Sequence, residues 1–471
     1  MNDGGTNDGG TEQGTGNVVL ISTYEMGRQP FGVASPAAWL EAAGAFVTCM
    51  DLAIEQLDEQ AIGQADLIAC YVPMHMAGRL ATSVLTRVRE INPRAHLCCY
   101  GLYAPANEQF FRELGAELVL GGEFEQGLVD FYRQVSRSAA GATEDAAAKP
   151  VVSLARLDFI VPKRDGLPAL DRYARLNIGD GSDRLVGYTE ATRGCKHLCR
   201  HCPVVPVYGG RFRVVPREVV LEDIRRQVAA GAQHITFGDP DFFNAPGHAL
   251  PLVEGLHREF PQLSYDVTIK IEHLVKGAGR LRTLRRTGCL FVTSAVESFD
   301  DAILERFDKR HTHADVAEVV RSFREVGLHL SPTFVTFTPW TTLRGYVDLL
   351  ETIFDLGLVD SVAPVQYAIR LLIPAGSELL ELSEVRQLVE EFDPAALYYP
   401  WKHPDPAVDR LYEDVLAVVA NRSAEARSAT FADVWELAHA AYGAQVRCSL
   451  RAEGAAPARA TVPYLNEPWY C

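Results

Sequence analysis

Three cysteines lie close together near the middle of the chain, at Cys195, Cys199 and Cys202. Their C-x3-C-x2-C spacing lets three thiolates converge on one metal cluster. Because a [4Fe-4S] cluster ordinarily takes four thiolates, the motif predicts a [4Fe-4S] cluster with one iron left open. The alternative metal is zinc, which would need a fourth ligand, in principle His197 or His201. Zinc fits three closely spaced cysteines poorly when no C-x2-C pair occurs elsewhere.

The region around these cysteines resembles the radical S-adenosylmethionine (SAM) superfamily. Arg193 and Gly194 precede the motif, and several later segments share the likeness. In that superfamily SAM chelates the open iron, and an electron from the cluster cleaves SAM homolytically. The resemblance therefore implies a [4Fe-4S] cluster and SAM as cofactors, with an external electron donor of the flavodoxin or ferredoxin type. His201 stands where the superfamily usually has an aromatic residue.

Composition limits the partners of the chain. Its 471 residues suggest roughly three domains. A net charge of -16, from 45 basic and 61 acidic residues, disfavours a nucleic acid as the main partner. We find no apolar run long enough to span a membrane and no signal peptide. We therefore expect a cytoplasmic protein with a small-molecule substrate, whose ten cysteines do not form a disulfide framework.

The N-terminal third predicts one α/β domain. Residues 1–17 are polar and rich in Gly, Asn and Asp, which predicts a disordered tail. Residues 18–135 alternate short apolar runs with helical stretches, which predicts a doubly wound parallel sheet. The five strands are predicted at residues 18–22, 45–49, 67–72, 95–100 and 117–120. Residues 136–150 lack large apolar side chains and predict a linker.

The position of this domain resembles the cobalamin-binding-type domain that precedes many radical SAM barrels. The likeness includes Gly121-Gly122-Glu123 after the last strand. The full cobalamin signature, Asp-x-His-x-x-Gly after the first strand, is absent, since the first histidine is His75. Either cobalamin binds without a protein histidine on cobalt, or the domain keeps the fold for packing alone.

Residues 151–385 again alternate helix and strand and predict the partial (β/α)6 barrel that is usual in the superfamily. Active groups should then lie at the C-terminal ends of its strands. Residues 386–450 show helical periodicity and predict helices that pack on the barrel. Barrel strands are predicted at residues 234–237, 265–269, 290–295, 330–337 and 362–372.

Two predicted strand ends carry carboxylates. The resemblance implies that Asp239 or Asp241 accepts a hydrogen bond from the amino group of SAM; the alternative is a turn that only reverses the chain. It also implies that Glu297 and Ser298 approach the ribose or amino group of SAM. A buried carboxylate needs a partner, which weakens a purely structural role for Glu297. Arg370 could bind a carboxylate of SAM or substrate, or form a structural ion pair.

The predicted flexible segment 451–471 ends on Cys471. With the context of Cys195, this ending resembles the CUAEP/CCAEP-tail radical SAM proteins, in which a Cys-selenocysteine or Cys-Cys pair precedes Ala-Glu-Pro. We therefore expect a UGA codon after Cys471; the alternative is a terminal thiol without a catalytic task. A thiol or selenol is a soft ligand. The tail and domain order also resemble an arsinothricin-pathway member that joins the 3-amino-3-carboxypropyl group of SAM to arsenic.

Three functions follow from these features. The first is a radical SAM transferase that moves a SAM-derived carbon group to a soft acceptor such as trivalent arsenic, with Cys471 binding that acceptor. The second is a cobalamin-dependent radical SAM methyltransferase. The third is a non-catalytic metal-binding or redox-sensing protein, which would not need the strand-end carboxylates.

Overall fold

The computed structural model describes residues 16–139, 151–179, 182–422, 426–452, 460 and 462–466. Most of the predicted N-terminal tail, residues 140–150 of the predicted linker, and Cys471 lie outside these ranges. No helix in the described ranges is long and apolar enough to cross a membrane.

Six parallel strands form the N-terminal sheet, in the order β2-β1-β3-β4-β5-β6. Helices cover both faces, so the predicted doubly wound sheet and its five strands are confirmed. Cys98 and its neighbour Cys99 pack in different core clusters, because successive strand residues point to opposite faces. The elements are β1 (Asn17–Ser22), α1 (Phe31–Ala42), β2 (Phe46–Asp51), α2 (Glu59–Gln64), β3 (Leu67–Tyr71), α3 (His75–Ile91), β4 (His96–Tyr100), α4 (Glu108–Glu113), β5 (Leu118–Gly122), α5 (Glu125–Ala139) and β6 (Val152–Ser153).

Two boundaries differ from the sequence prediction. Helix α5 continues into the predicted linker as far as Ala139, four residues beyond the predicted boundary at residue 135. Strand β6 comes from residues that the sequence assigned to the barrel, yet it pairs with Gly121 and Gly122 of β5. The edge of the sheet therefore lies beyond residue 151.

The second sheet has seven strands in the order β14-β13-β12-β11-β8-β7-β15. The five strands from β8 to β14 in this sheet run parallel, and helices cover their outer face. The predicted barrel is thus an open, partial one. Its elements are β7 (Arg175–Asn177), β8 (Asp183–Thr189), β9 (Thr192–Gly194), α6 (Val204–Tyr208), β10 (Phe212–Val214), α7 (Arg217–Ala229), β11 (His234–Phe237), α8 (Pro246–Glu259), β12 (Ser264–Thr268), α9 (Ile271–Lys276), α10 (Leu281–Arg286), β13 (Cys289–Glu297), α11 (Asp301–Arg306), α12 (His313–Val326), β14 (His329–Phe334) and α13 (Leu343–Asp355).

The strand predicted at residues 362–372 was wrong. Pro364 begins a short 3-10 helix that runs to Ala368, because proline lacks the N–H group that a central strand must donate. Only one parallel bridge, between Phe337 and Arg370, continues the sheet there. The side chain of Gln366 instead accepts a hydrogen bond from the backbone N–H of Phe334.

The C-terminal region packs on the barrel as helices, as predicted, with an irregular stretch between the first two. Its last described strand pairs antiparallel with β7 at the edge of the barrel sheet. The elements are α14 (Ser383–Leu388), α15 (Pro406–Asn421), α16 (Arg427–Ala441) and β15 (Tyr464–Leu465).

Candidate active site

The three motif cysteines lie between β9 and α6. Gly194 turns the chain into the motif with φ of 76°, and a Cβ there would lie 2.6 Å from the carbonyl oxygen of Arg211. Only glycine fits this approach without strain. The side chain of Asn244 holds the loop by donating to the Gly194 carbonyl at 3.2 Å and accepting from the Lys196 N–H at 3.3 Å.

The thiols of this loop are at least half-buried. Burial raises the pKa of Cys195, and it raises the pKa of Cys202 to about 12. Cys195 and Cys202 also pack against the same small hydrophobic cluster, which includes Val204 and Tyr208. A positively charged metal centre favours thiolates over thiols. The donor set therefore fits an iron–sulfur cluster held by Cys195, Cys199 and Cys202.

The two histidines considered as zinc ligands have other neighbours. His201 Nε2 lies 3.0 Å from Glu297 Oε1. His197 groups with Cys195 and Asp241, whose ligand atoms all lie within 4.8 Å of one another. Among the described residues, neither histidine therefore completes a set with all three cysteines, which weakens the zinc alternative.

Glu297 ends β13 in a strained conformation, with φ of 66°. Its carboxylate lies 3.0 Å from His201 Nε2 and 3.1 Å from Lys309 Nζ. Burial opposes ionisation of Glu297, but Lys309 and His201 outweigh it and hold the pKa of the carboxyl well below its usual range. Because His201 lies within the cysteine motif, this buried ion pair adjoins the motif.

Two other sequence candidates have structural partners. Ser298 Oγ accepts a hydrogen bond from the N–H of Asp300, in the turn that begins α11. Arg370 pairs with Asp409 at 2.8 Å, and its guanidinium lies 3.8 Å from the centre of the Trp401 ring. The structural ion pair is thus the reading of Arg370 that the structure supports.

Asp239 ties the end of β11 to the hairpin before the motif. Its carboxylate accepts from the N–H of Ala191 at 3.0 Å and from the hydroxyl of Thr192 at 2.5 Å. Burial raises the pKa of Asp239 to about 6, although these hydrogen bonds oppose the shift. Asp239 is therefore a buried carboxyl whose two oxygens each already accept a hydrogen bond.

Asp241 belongs to a separate network beside Cys195. Its Oδ2 lies 2.6 Å from His273 Nδ1 and 3.5 Å from His197 Nε2. Burial opposes ionisation of Asp241, but the two histidines lower its pKa below the usual value. The structure thus separates the two aspartates that the sequence offered as alternatives.

The sequence interpretation missed two buried lysines. Lys309 was hidden in a polar run that is typical of a solvated loop, yet its side chain is buried. Lys270 follows β12, and its Nζ has no hydrogen-bond partner within the described ranges; the nearest carboxylate oxygen, of Glu272, is 3.9 Å away. A lysine directly after a predicted barrel strand was a signal that could have identified Lys270.

A buried charge network joins the two sheets next to the motif. The guanidinium of Arg193 lies 2.7 Å from Glu125, 3.3 Å from Glu123 and 2.9 Å from Glu190. Glu123 and Glu125 follow β5 of the N-terminal sheet, whereas Glu190 follows β8 of the barrel. Glu123, the last residue of the Gly-Gly-Glu segment, therefore holds the strand that leads into the cysteine motif.

A cavity of about 350 Å³ lies between the C-terminal edges of the two sheets. We call it the domain cavity. Its walls include Glu25 and Tyr71 from the N-terminal sheet and Tyr188, Glu190 and Asp239 from the barrel. The cavity is thus lined by aromatic and acidic side chains, and it opens beside the cysteine motif.

Comparison with known proteins agrees with this geometry. Residues 189–353 match the model of the radical SAM superfamily. These residues form a radical SAM domain. The matched segment contains the three cysteines, Asp239, Glu297 and Lys309. Enzymes of this superfamily use a [4Fe-4S] cluster and SAM, which agrees with the fit of the three thiols.

The curated relatives are transferases that the chain matches only in part. It is 28% identical over 220 residues to the tRNA-2-methylthio-N(6)-dimethylallyladenosine synthase of Desulfosudis oleivorans, covering 44% of this chain and 46% of that protein. It is 27% identical over 187 residues to the ribosomal protein uS12 methylthiotransferase RimO of Porphyromonas gingivalis, covering 37% and 42%. The chain thus spans less than half the length of either relative.

The fold extends further than these sequence matches. The cobalamin-dependent SAM radical enzyme OxsB, solved with aqua-cobalamin and SAM, superposes with a TM-score of 0.67 at 15% identity. The match covers 87% of this chain and 67% of OxsB. The N-terminal sheet and the barrel together therefore have the fold of a cobalamin-dependent radical SAM enzyme.

Both alternatives for the N-terminal domain agree with the structure. Residues of the N-terminal sheet, among them Glu25 and Tyr71, line the domain cavity. The Nε2 atom of His75 lies 2.5 Å from the carbonyl oxygen of Ala396, so this nitrogen is already engaged. Either cobalamin binds without a protein histidine on cobalt, or the domain keeps the fold for packing alone.

Proposed function

We propose that this chain is a radical SAM transferase that cleaves SAM reductively and transfers a SAM-derived carbon group to a small acceptor. The observation that carries the proposal is the set of buried charges at the barrel strand ends, namely Asp239, Lys270 and Glu297. Asp239 lines the domain cavity, and Glu297 lies 3.0 Å from His201 of the motif. Glu272, the carboxylate nearest to Lys270, lies 3.5 Å from His197 of the motif. A protein that only bound a metal would not need these buried charges.

Each group has a separate task in this proposal. The cluster, when bound, supplies the electron that cleaves SAM. Asp239 and Glu297 accept hydrogen bonds from the amino group and ribose of SAM. The ammonium of Lys270, buried without a hydrogen-bond partner among the described residues, balances the carboxylate of SAM. Pairing with Lys309 keeps the carboxylate of Glu297 ionised, so Glu297 can only accept hydrogen bonds.

The finer proposal is transfer of the 3-amino-3-carboxypropyl group to a soft acceptor such as trivalent arsenic. Strand β15 borders a second cavity, of about 400 Å³, which shares Asp266 and Thr293 with the domain cavity. Cys471 follows Asn466 by five residues, which can span roughly 17 Å when extended. Because Tyr464 and Leu465 line the second cavity, this length of chain allows the Cys471 thiol to bind a soft element there.

A small acceptor is favoured over a macromolecule. The names of the two curated relatives mention tRNA and a ribosomal protein, so the absence of a nucleic-acid partner stays a prediction. A net charge of -16 opposes binding to a phosphate backbone, and the domain cavity suits a small ligand.

The test is anaerobic reconstitution with iron and sulfide, followed by reduction in the presence of SAM and mass spectrometry of the nucleoside products. We expect wild-type protein to consume SAM and Cys195→Ser to lose all cleavage. Cys49→Ser is the matched control, because this thiol lies in the N-terminal sheet, and it should retain cleavage. Full cluster loading with no SAM consumption would contradict the proposal and favour a metal-binding or redox-sensing protein.

The products separate the finer alternatives. Methylthioadenosine together with an arsenic-bearing amino acid, formed only when arsenite is added, would support carboxypropyl transfer. Cys471→Ser should then abolish that product but not SAM cleavage. Methyl transfer that requires added hydroxocobalamin would instead support the methyltransferase and assign cobalamin binding to the N-terminal domain.

A further inference from the structure

A tight turn after β1 presents two opposite charges to the domain cavity. The N–H of Arg28 donates to the carbonyl of Glu25 at 3.0 Å. The two central residues, Met26 and Gly27, have φ of 49° and 68°, the pattern of a type I′ turn. Methionine is strained in this conformation, and strained residues concentrate at functional sites. The turn sets Glu25 and Arg28 side by side on the cavity wall.

Neither of these two side chains supplies the missing hydrogen-bond partner of the other. Glu25 is only 5% exposed, and its Oε2 has no hydrogen-bond partner among the residues that the structure describes. The Nε of Arg28 is likewise buried without a partner in those ranges. A buried charge without a partner is costly, so both groups are poised for a ligand that brings the missing partners.

Aromatic side chains complete this part of the cavity. The guanidinium of Arg28 lies 5.1 Å from the centre of the Tyr188 ring, which holds it against the cavity wall. Phe31 and Tyr71 line the same region. Aromatic walls accept an apolar ligand body, while the two charges accept a head group that carries both signs.

We propose that the domain cavity binds the head group of an α-amino acid, with Glu25 accepting from its ammonium and Arg28 donating to its carboxylate. The inference deepens the proposed function by naming the ligand class. Two sources share this chemistry: a free amino acid that serves as acceptor, and a product that carries the transferred 3-amino-3-carboxypropyl group. The head group of SAM is a third amino acid, which the test must exclude.

The electrostatics of Glu25 agree with this assignment. Burial and the neighbouring Glu190 raise the pKa of Glu25 well above its usual value, and Asp51 adds to the effect. The guanidinium groups of Arg28 and Arg164 oppose it but do not cancel it. Binding of an ammonium group should therefore oppose this shift and lower the pKa of Glu25.

The test is calorimetric titration of the reconstituted enzyme at saturating SAM with L-phenylalanine, phenethylamine and 3-phenylpropionate. These probes share one skeleton and differ only in the head group. Glu25→Gln should weaken L-phenylalanine binding by about tenfold or more and leave 3-phenylpropionate unchanged. Arg28→Gln should weaken binding of L-phenylalanine and 3-phenylpropionate but not of phenethylamine.

Two controls separate an effect on head-group binding from an effect on folding. Glu59→Gln, on an exposed ion pair with Arg87, should bind all three probes as wild type does. Thermal unfolding of each variant checks that the fold is intact. Equal weakening of all three probes by Glu25→Gln, or failure of L-phenylalanine to bind, would overturn the inference. So would an effect of Glu25→Gln on SAM affinity alone.

L-2-Aminobutyrate, which mimics the transferred group, distinguishes the sources. Tighter binding of this probe than of L-phenylalanine, with the same dependence on Glu25 and Arg28, supports the product; the reverse order supports a free amino acid acceptor. SAM cleavage is measured separately on the same preparations. Normal probe binding without SAM cleavage would contradict the proposed function and leave this inference standing.

Discussion

The N-terminal sheet and the barrel sheet have the same parallel architecture, but their C-terminal edges carry charges in different ways. The barrel edge pairs most of its charges internally, as Glu297 does with Lys309 and His201, and Lys270 is an exception. The N-terminal edge leaves Glu25 and Arg28 without a mutual ion pair, on a strained turn. One edge is therefore largely complete as folded, whereas the other awaits a ligand.

This difference suggests a division of labour. Parallel sheets place ligands at the C-terminal ends of their strands, and here two such edges share one cavity. The barrel edge adjoins the cysteine motif, so its paired charges set the chemistry. The N-terminal edge lies across the cavity, and in our proposal its Glu25 and Arg28 select the ligand. Arg193 is a direct link between them, since carboxylates from both sheets surround it.

Substitution of Arg193 should give the largest loss of unfolding free energy, because it breaks the charge network between the two sheets. Arg193→Met leaves Glu123, Glu125 and Glu190 buried without their cation. Loss of one partner from a buried ion pair costs about 3–5 kcal/mol of unfolding free energy. Urea unfolding measures this loss, and Arg193→Lys should show a smaller one because the charge is kept. A loss for Arg193→Met within about 0.5 kcal/mol, typical of surface sites, would show that the sheets associate without this network.

Glu297→Gln should impair the barrel edge while the N-terminal edge stays intact. The substitution leaves Lys309 buried without its carboxylate and alters the acceptor assigned to SAM. Misplacement of this kind costs on the order of 100-fold in rate, so SAM cleavage should fall by about that factor with a higher KM for SAM. Iron content should remain that of wild type. Glu305→Gln, an exposed neighbour on α11, is the control, and equal cleavage by both variants would remove Glu297 from the site.

The repeating patterns of the sequence predicted most of the fold. Alternation of short apolar runs with helices defined the strands, because a buried parallel strand must be apolar on both faces. The prediction failed at residues 362–372, where an apolar run met Pro364 and formed a 3-10 helix. An apolar run alone does not show whether backbone donors are available for a sheet.

The candidate site was predicted where its members are adjacent in sequence. Cys195, Cys199 and Cys202 share one loop, so their spacing alone indicates a common metal. Pairing of Glu297 with Lys309 and His201 depends on how strands are arranged in the barrel, which no local pattern records. Glu25 was missed for another reason: its turn has Met26 where a glycine or asparagine would normally signal left-handed backbone.

Substitution of Glu190 should give the smallest change in the free energy of unfolding. It is also the sharpest test of the contrast between the two edges, because Glu190 lies on the barrel edge yet faces the domain cavity. Burial raises the pKa of Glu190 from its usual 4.5 to about 7, although Arg193 opposes the shift. Between pH 4.5 and about pH 7, Glu190 binds a proton in the folded protein but has lost it in the unfolded chain. The free energy of unfolding should therefore fall as pH rises through this window, and the Glu190→Gln variant should lack that part of the decrease.

Urea unfolding of wild type and Glu190→Gln near pH 5 and pH 8 measures this difference. We expect the two proteins to be similar near pH 5 and the variant to be more stable by about 1–2 kcal/mol near pH 8, since one pKa unit corresponds to about 1.4 kcal/mol and partial exposure reduces the effect. A stability difference independent of pH would mean that Arg193 keeps Glu190 ionised throughout. Glu190 would then belong with the paired charges of the barrel, and only Glu25 and Arg28 would face the cavity unsatisfied.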